Sequence, residues 1–325
     1  MTRSSRLIPL TLLSFLSIAA ALLISEGFLS LIDYRYSPMQ IMRTEAAATR
    51  GDQRYFHSIQ DKHFVYDPYL IWRPRALYDV FNSQGYRGKE LPPVKASGSY
   101  RIFAIGDSNT LGWGKKNGAN WPSDLQRLLD GPGDRFTVIN AGVWGYSSFQ
   151  GLRRFSEVVA LQPDMVLISF GSNDAHQVIV SDADFAARMT LGRLIGWSRV
   201  GQAIIAASDR LRRRQDVATV PRVSLREYRE NLGAIIQLAR ANHIIVVLLT
   251  RPFIGDAPSG SWKVRGPAYV RATLEVASTN RVPSVDVYSS FSNKPEYFAD
   301  ESHFTRQGHQ LAAQMIYDGI KPLIH

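Results

Sequence analysis

Four short polar clusters carry the side chains that could do chemistry. They read GDSNT at 106–110, NAG at 140–142, GSND at 171–174 and DESH at 300–303. The first three follow directly after apolar, β-branched runs, and the fourth comes just before the last helical pattern. Together they supply a serine, backbone N–H donors, an amide side chain and a carboxylate near an imidazole. Acyl transfer needs this set, because it requires a nucleophile, a proton acceptor and donors for a developing oxyanion.

Ser108 is the candidate nucleophile because it lies at a tight turn from a strand into a helix, where its hydroxyl would be exposed. Asp300 and His303 are three positions apart, so the carboxylate can hold the tautomer of the imidazole and stabilise the imidazolium. A structural alternative remains for the first cluster, since Asp107 and Ser108 are also good helix caps. The coincidence of four such clusters favours the catalytic interpretation.

The elements that must position these clusters alternate between strand and helix. This alternation predicts a parallel sheet with helices on both faces. Gly142 and Asn173 would then share a sheet edge with Ser108, because ligands bind beyond the carboxyl ends of parallel strands. The candidate strands are 100–105, 135–140, 164–170, 243–250 and 282–288, and the candidate helices are near 121–129, 148–161, 224–241, 267–279 and 305–320.

The four clusters, in this order, resemble those of the SGNH hydrolases, the superfamily of GDSL-type esterases and lipases. The resemblance covers about residues 99–322. It implies an α/β fold, a three-layer αβα sandwich with a five-stranded parallel sheet of the flavodoxin-like kind. It also implies that Ser108 is the nucleophile, His303 the general base and then acid, and Asp300 its orienting partner. The N–H groups of Ser108 and Gly142 and the side chain of Asn173 would form the oxyanion hole, with no metal or cofactor required.

Two further features bear on this resemblance. Asn109 stands where the family's name motif has leucine, at a position that varies among relatives, so the departure leaves the catalytic roles intact. A tyrosine-rich leader with an NSxGYRG-like segment at 82–88 follows an apolar N-terminus. That combination resembles a bacterial membrane-anchored subset of these hydrolases, whose members act mainly outside the cytoplasm.

The N-terminus predicts a membrane anchor. Residues 7–24 contain no charge, and the apolar character resumes after Ser25 and Glu26 and runs to Ile32. Leu7 to Ile32 is 26 residues, or about 39 Å of helix, which exceeds the ~30 Å hydrocarbon core of a bilayer. A cleavable signal peptide is the alternative, but no small-x-small cleavage site follows the apolar run. A very short N-terminal tail favours an exported body. We expect an anchor at 1–33, a leader region at 34–98 and a catalytic domain at 99–325.

The positive charge of the chain is concentrated in one segment. The 325 residues carry a net charge of +10. They include no cysteine, and this absence excludes disulfides, thiolate metal clusters and a cysteine nucleophile. Residues 188–229 include ten arginines and three acidic residues, which gives a net charge of +7. Most of this segment belongs to a basic insert in the predicted catalytic domain, at about 185–223. Its apolar residues recur at three- or four-residue steps, which favours a basic amphipathic helix.

This basic insert has two interpretations. It could form a lid or a docking surface for a membrane or an anionic substrate, since basic amphipathic helices commonly bind membrane surfaces. It could equally be a solvated arginine face on an ordinary packing helix. Trp197 is the only aromatic residue between 188 and 223, and the segment has no recognition motif, so nucleic acid is not an expected partner.

These observations predict a membrane-anchored serine esterase that forms an acyl-enzyme on Ser108. The expected substrates are O-acyl groups on an envelope carbohydrate or a lipid, an expectation that rests on location and family analogy. With a sugar hydroxyl in place of water, the same site would make an O-acyltransferase, working beside a membrane-embedded acyl-donor partner. A glycan-binding or assembly protein without catalysis is the third alternative.

Overall fold

The computed structural model describes residues 4–36, 63–112, 118–131, 135–178, 180–188, 190–212, 220–254 and 261–324. Its strands are β1 (Phe64–Asp67), β2 (Ile71–Pro74), β3 (Tyr100–Gly106), β4 (Phe136–Asn140), β5 (Met165–Phe170), β6 (Gln177–Val178), β7 (Val220–Pro221), β8 (Ile245–Thr250) and β9 (Ser284–Val285). Five of them form one parallel sheet in the order β4-β3-β5-β8-β9. Antiparallel pairs join β1 to β2 and β6 to β7.

The described residues contain eleven α-helices. They are α1 (Ser4–Leu31), α2 (Ser108–Leu111), α3 (Trp121–Leu129), α4 (Ser148–Val158), α5 (Asp182–Arg188), α6 (Thr190–Ile195), α7 (Arg199–Arg212), α8 (Leu225–Ala241), α9 (Ser261–Asn280), α10 (Val287–Phe291) and α11 (Arg306–Ile320). One side of the sheet packs on α4, α8 and α9, and the other side packs on α3 and α11.

The central strands are buried on both faces. In β3, Ile102 and Ala104 join the apolar cluster of α3 and α11, whereas Phe103 and Ile105 join the cluster of α4 and α8. This alternation follows from the two-residue period of a strand, and it explains why the strands read as continuous apolar runs. In chain order the sheet is 2-1-3-4-5, which is the flavodoxin-like arrangement. The predicted α/β sandwich with a five-stranded parallel sheet is confirmed.

The last strand is shorter than the sequence predicted. The apolar pattern predicted a strand over 282–288, but β9 contains only Ser284 and Val285. Asp286 accepts a hydrogen bond from the N–H of Ser289 at 3.2 Å and so caps the start of α10. Because this cap satisfies a helix-start donor, the β-branched Val287 enters a helix.

The N-terminal helix α1 includes an apolar segment that is long enough to cross a membrane. Leu10–Leu31 comprises 22 residues, and none of its most apolar window is buried inside the protein. This length corresponds to about 33 Å of helix, comparable to the hydrocarbon core of a bilayer. The segment is therefore a candidate membrane span or signal anchor, as expected from the sequence.

The leader region packs into the same core as the catalytic fold. Trp72 of β2 is fully buried, and its indole N–H donates to the carbonyl of Trp144 at 3.2 Å. The hydroxyl of Tyr146 donates in return to the carbonyl of Trp72 at 2.7 Å. Residues 37–62 of the leader lie outside the described residues. The part from 63 to 98 thus supports the loop that follows β4.

His309 is a buried histidine in the second turn of α11. Its ring packs edge-on against Phe304. Burial, together with the nearby charges of Arg87, His303 and Arg251, lowers the pKa of His309 from 6.5 to about 3. The folded protein therefore keeps this imidazole neutral at a pH where the unfolded chain protonates it.

This burial predicts an acid-sensitive contribution to stability. The pKa of His309 is lower in the folded protein than in the unfolded chain. The contribution of the neutral His309 to stability is therefore fully present above about pH 6.5, and it is lost as the pH falls towards 3. The loss is at most about 1.4 kcal/mol per pH unit. Thermal unfolding of the full chain in detergent at pH 7.5 and pH 5 should show a smaller acid loss for His309→Gln than for the wild type. Parallel pH dependence in the two proteins would contradict this account.

Candidate active site

Three side chains from distant parts of the chain form one hydrogen-bonded series. Ser108 begins α2 directly after β3, and its Oγ lies 2.9 Å from Nε2 of His303. Nδ1 of His303 lies 2.7 Å from Oδ2 of Asp300. A carboxylate can only accept, so Nδ1 carries the proton and Nε2 is free to accept the serine hydroxyl. This arrangement can activate Ser108 as a nucleophile.

Asp300 is held as a carboxylate by its surroundings. Partial burial raises the pKa of Asp300. The hydrogen bond and charge of His303, together with the backbone N–H groups of Ser302 and His303, lower this pKa by more than burial raises it. The net result is a pKa well below the ordinary value. Both backbone N–H groups donate to Oδ1 at 2.8 Å, which leaves Oδ2 for the imidazole. Asp300 thus shapes its own loop and orients His303 at the same time.

Glycine at 142 allows the loop after β4 to lie against α2. A Cβ at Gly142 would overlap the backbone of Thr110 and Leu111. At Gly106, the end of β3, a Cβ would lie 2.7 Å from the carbonyl oxygen of Ser169 on the neighbouring strand. Both positions therefore need glycine for close backbone approach. The result is that the loop of residue 142 packs directly beside α2.

The three expected oxyanion donors differ in their present partners. Ser108 is the first residue of α2, so its N–H has no intrahelical acceptor. The N–H of Gly142 donates to Oδ1 of Asn140 at 3.0 Å, within its own loop. Nδ2 of Asn173 donates to the carbonyl of Tyr146 at 2.9 Å, which leaves its second hydrogen for another acceptor. Gly142 can serve an oxyanion only by sharing or exchanging its bond to Asn140.

A buried ion pair joins the serine turn to the histidine loop, and the sequence motifs gave no sign of it. Nε of Arg251, just after β8, donates to Oδ2 of Asp107 at 2.8 Å, and both side chains are almost fully buried. Nη1 of Arg251 also donates to the carbonyl of Ser302 at 2.9 Å. Oδ1 of Asp107 caps α2 by accepting the N–H of Asn109 at 2.8 Å. One cation thus positions the neighbours of both Ser108 and His303.

Asn109 provides a second link between the same two loops. Its Oδ1 accepts the backbone N–H of Phe304 at 3.0 Å, and the side chain is buried. A leucine, which the family's name motif has at this position, could not accept this hydrogen bond. The departure from the motif therefore has a structural role beside His303.

Arg87 from the leader region binds backbone carbonyls at the end of α2 and at Gly118. Its Nη1 donates to the carbonyls of Leu111 at 2.9 Å and Gly112 at 2.6 Å, and its Nη2 donates to that of Gly118 at 3.0 Å. Its backbone N–H donates to the carbonyl of Asn140 at 3.0 Å. The segment at 82–88 was notable in the sequence, but only the fold shows that it contacts the site.

Several arginines of the segment 188–229 have acidic partners within the protein. Arg222 is buried and makes a two-pronged pair with Asp182, with contacts at 3.0 and 2.9 Å. Arg226 and Arg229 on α8 pair with Glu230 and Glu275. Arg213 and Arg214 lie outside the described residues. The net charge of the segment therefore overstates the number of arginines free to bind an anionic partner.

Comparisons with known proteins identify sequences and structures that are similar to this chain. The model of the GDSL-like Lipase/Acylhydrolase family matches residues 104–311. An arylesterase from Vibrio mimicus is 35% identical over 77 residues, which are 23% of this chain and only 38% of that protein. A lipase/acylhydrolase structure from Enterococcus faecalis superposes with a TM-score of 0.50 at 23% identity, covering 70% of this chain and 97% of its own. An acetylxylan esterase structure from Geobacillus stearothermophilus gives 0.48 at 20% identity, with coverages of 68% and 94%.

The family match and the structural likeness carry different information. At this level of identity, the Enterococcus structure shows a shared fold and no more. The family model covers more than half of the chain and includes all four polar clusters. The chain therefore belongs to the GDSL-like lipase/acylhydrolase family, the SGNH hydrolases.

Proposed function

We propose that this protein is a membrane-anchored serine esterase whose catalytic domain lies outside the cytoplasmic membrane. The observation that carries the proposal is the series of hydrogen bonds from Ser108 through His303 to Asp300. It lies at the carboxyl edge of the parallel sheet, where such folds bind ligands. The apolar segment Leu10–Leu31 supports the anchor.

The catalytic cycle follows from the positions of these atoms. Oγ of Ser108 attacks the ester carbonyl carbon while its proton passes to Nε2 of His303. The tetrahedral intermediate then expels the alcohol, which takes that proton, and an acyl ester remains on Ser108. Water attacks the acyl ester with His303 again accepting a proton, and the acid leaves as Ser108 recovers its hydrogen. Asp300 stabilises the imidazolium in both halves of the cycle.

The developing oxyanion would bind among three donors. The N–H of Ser108 and the second N–H of the Asn173 side chain have hydrogens available, and the N–H of Gly142 would turn from Asn140 to the oxyanion. Such donors stabilise the transition state more than the ground state, because negative charge develops on the oxygen in the transition state. The site thus needs no metal for this reaction.

The proposed substrates are O-acyl groups on a carbohydrate or lipid of the cell envelope. The membrane anchor supports a substrate close to a membrane, and the arylesterase among the relatives supports hydrolysis of a carboxylic ester. Product analysis with and without a sugar acceptor tests this assignment against acyl transfer. Free carboxylic acid as the main product in both cases supports the esterase.

Ser108→Ala should abolish ester hydrolysis, because no acyl-enzyme can form. The measurement is turnover of a short nitrophenyl ester by the full chain in detergent. Ser156→Ala is the matched control, since Ser156 is an exposed serine on α4 that bonds only its own helix. Residual turnover of Ser108→Ala at the level of Ser156→Ala would contradict the proposed nucleophile.

Asn173→Ala should lower kcat by about 10²–10³-fold with little change in KM, because the lost donor acts on the transition state. Asn280→Ala is the control, since Asn280 also donates its side-chain N–H to a backbone carbonyl but lies at the far end of α9. Steady-state kinetics on the same ester measures both constants. A kcat within a few fold of the control would remove Asn173 from the oxyanion hole.

Arg251 should act as a positioning residue. Arg251→Gln leaves Asp107 buried without its cation, which should cost about 3–5 kcal/mol in the free energy of unfolding. Arg251→Lys keeps a cation near Asp107 but lacks the fork that also reaches Ser302. We expect Lys to restore most of the stability while kcat stays low at unchanged KM. If kcat instead recovers together with stability, Arg251 has only a structural role.

A further inference from the structure

The N-terminal helix is fastened to the basic insert by a carboxylate. Glu26 of α1 accepts the backbone N–H of Arg199 at 2.8 Å and that of Val200 at 2.9 Å. These are the first two residues of α7, so Glu26 supplies the capping acceptor that this helix start needs. A carboxylate within a membrane helix is costly unless it is paired. The contact therefore gives Glu26 a partner and ties the insert to the anchor.

A second group of contacts lies where α1 ends. The backbone N–H of Tyr36 donates to Oε1 of Gln202 on α7 at 3.1 Å. The carboxylate of Asp33 lies 2.8 Å from Arg35, 3.4 Å from Arg75 and 3.7 Å from Arg199. Charged groups of this kind belong at the headgroup level of a bilayer. With α1 as the proposed anchor, the boundary between hydrocarbon and water would fall between Glu26 and Asp33.

The insert exposes large apolar side chains on both sides of this attachment. Leu194 and Trp197 come just before the start of α7, with exposures of 70% and 83%. Ile204 and Leu211 follow along α7, with exposures of 53% and 71%. The indole N–H of Trp197 is satisfied within the insert, because it donates to the carbonyl of Leu194 at 2.6 Å. Its ring can therefore enter an apolar medium without losing a hydrogen bond to water.

Glycine makes the close packing of this segment possible. A Cβ at Gly196 would overlap the ring of Tyr66, and one at Gly201 would overlap the backbone of Ile195. Gly196 lies in the tight turn between α6 and α7, and Gly201 lies in the first turn of α7. They let the exposed residues Leu194 and Trp197 lie beside the helix start that Glu26 caps.

The other end of the insert is bonded to the active-site framework. Arg222, directly after β7, donates to the carbonyl of Gly145 at 2.7 Å and pairs with Asp182 at the start of α5. Asp182 in turn accepts the hydroxyl hydrogen of Ser147 at 2.6 Å. Gly145 and Ser147 belong to the loop that begins at Gly142. The insert is therefore attached to the anchor on one side and to the site on the other.

We propose that helices α6 and α7 form a membrane-seated platform, residues 190–212, whose exposed apolar side chains enter the bilayer interface. The occupant of this surface is lipid, because the platform is bonded through Glu26 to the helix that spans the bilayer. The platform holds the catalytic domain at a fixed height and favours ester substrates presented at the membrane surface. It rests on the proposed anchor but not on the proposed chemistry.

Site-directed spin labelling tests this platform directly. The chain has no cysteine, so Leu194→Cys, Trp197→Cys and Ile204→Cys each give a single label in the full-length protein. The labelled proteins are reconstituted in vesicles of phosphatidylethanolamine and phosphatidylglycerol. The labels should be accessible to oxygen and shielded from a water-soluble nickel chelate, at a depth of about 5–10 Å. Val94→Cys is the matched control, since Val94 is 78% exposed in the leader region and its label should stay in water.

The outcomes separate the platform from the anchor and from the chemistry. Leu16→Cys in α1 reports on the anchor, and turnover of a short soluble ester reports on the site. A shielded label at Leu16 with labels at Leu194 and Trp197 as water-accessible as that at Val94 would overturn the platform and leave the anchor standing. Shielding that vanishes when the vesicles are diluted to about one chain each would assign the surface to a second copy and also overturn it. Glu26→Leu should loosen the platform and reduce the shielding at Trp197 without changing the label at Leu16.

Discussion

The buried ion pair between Arg251 and Asp107 is the constraint on which the geometry of the site depends. Ser108 and His303 are 195 residues apart in the chain, so the packing of two separate loops must bring them together. Two buried charges are tolerable only when further hydrogen bonds satisfy them. Asp107 also accepts the N–H of Asn109, and Arg251 also reaches the carbonyl of Ser302. The bonds that satisfy the charges are therefore the same bonds that place the serine turn against the histidine loop.

Regions outside the common catalytic fold complete this framework. The leader contributes Arg87, whose guanidinium binds backbone carbonyls on both sides of the loop after α2. The insert contributes Arg222, which binds the loop after β4 while it pairs with Asp182. Both arginines act on backbone carbonyls, which a planar, five-donor guanidinium can do from one position. The leader and the insert are thus each connected to the site by the hydrogen bonds of one arginine.

Much of the fold and the candidate site could be predicted from the sequence, because local patterns encode them. Apolar runs that end in polar clusters indicate parallel strands with a site at their carboxyl ends, and the spacing of Asp300 and His303 indicates a turn that pairs them. The contacts of Arg251, Asn109 and Glu26 could not be predicted, since each joins residues far apart in the chain and no spacing records the pairing. The last strand was predicted too long, because the apolar pattern gives no weight to a single capping carboxylate at 286.

A serine esterase of this kind requires that Ser108 becomes acylated during turnover. The most direct measurement is rapid acid quenching of the full-length protein with a nitrophenyl acetate ester, followed by digestion and mass spectrometry of the peptide that contains residue 108. We expect an acetyl group on Ser108 that appears in the pre-steady state and disappears as the ester is consumed. Turnover with an unmodified Ser108 at every quench time, and with an acyl group found on another side chain, would contradict it.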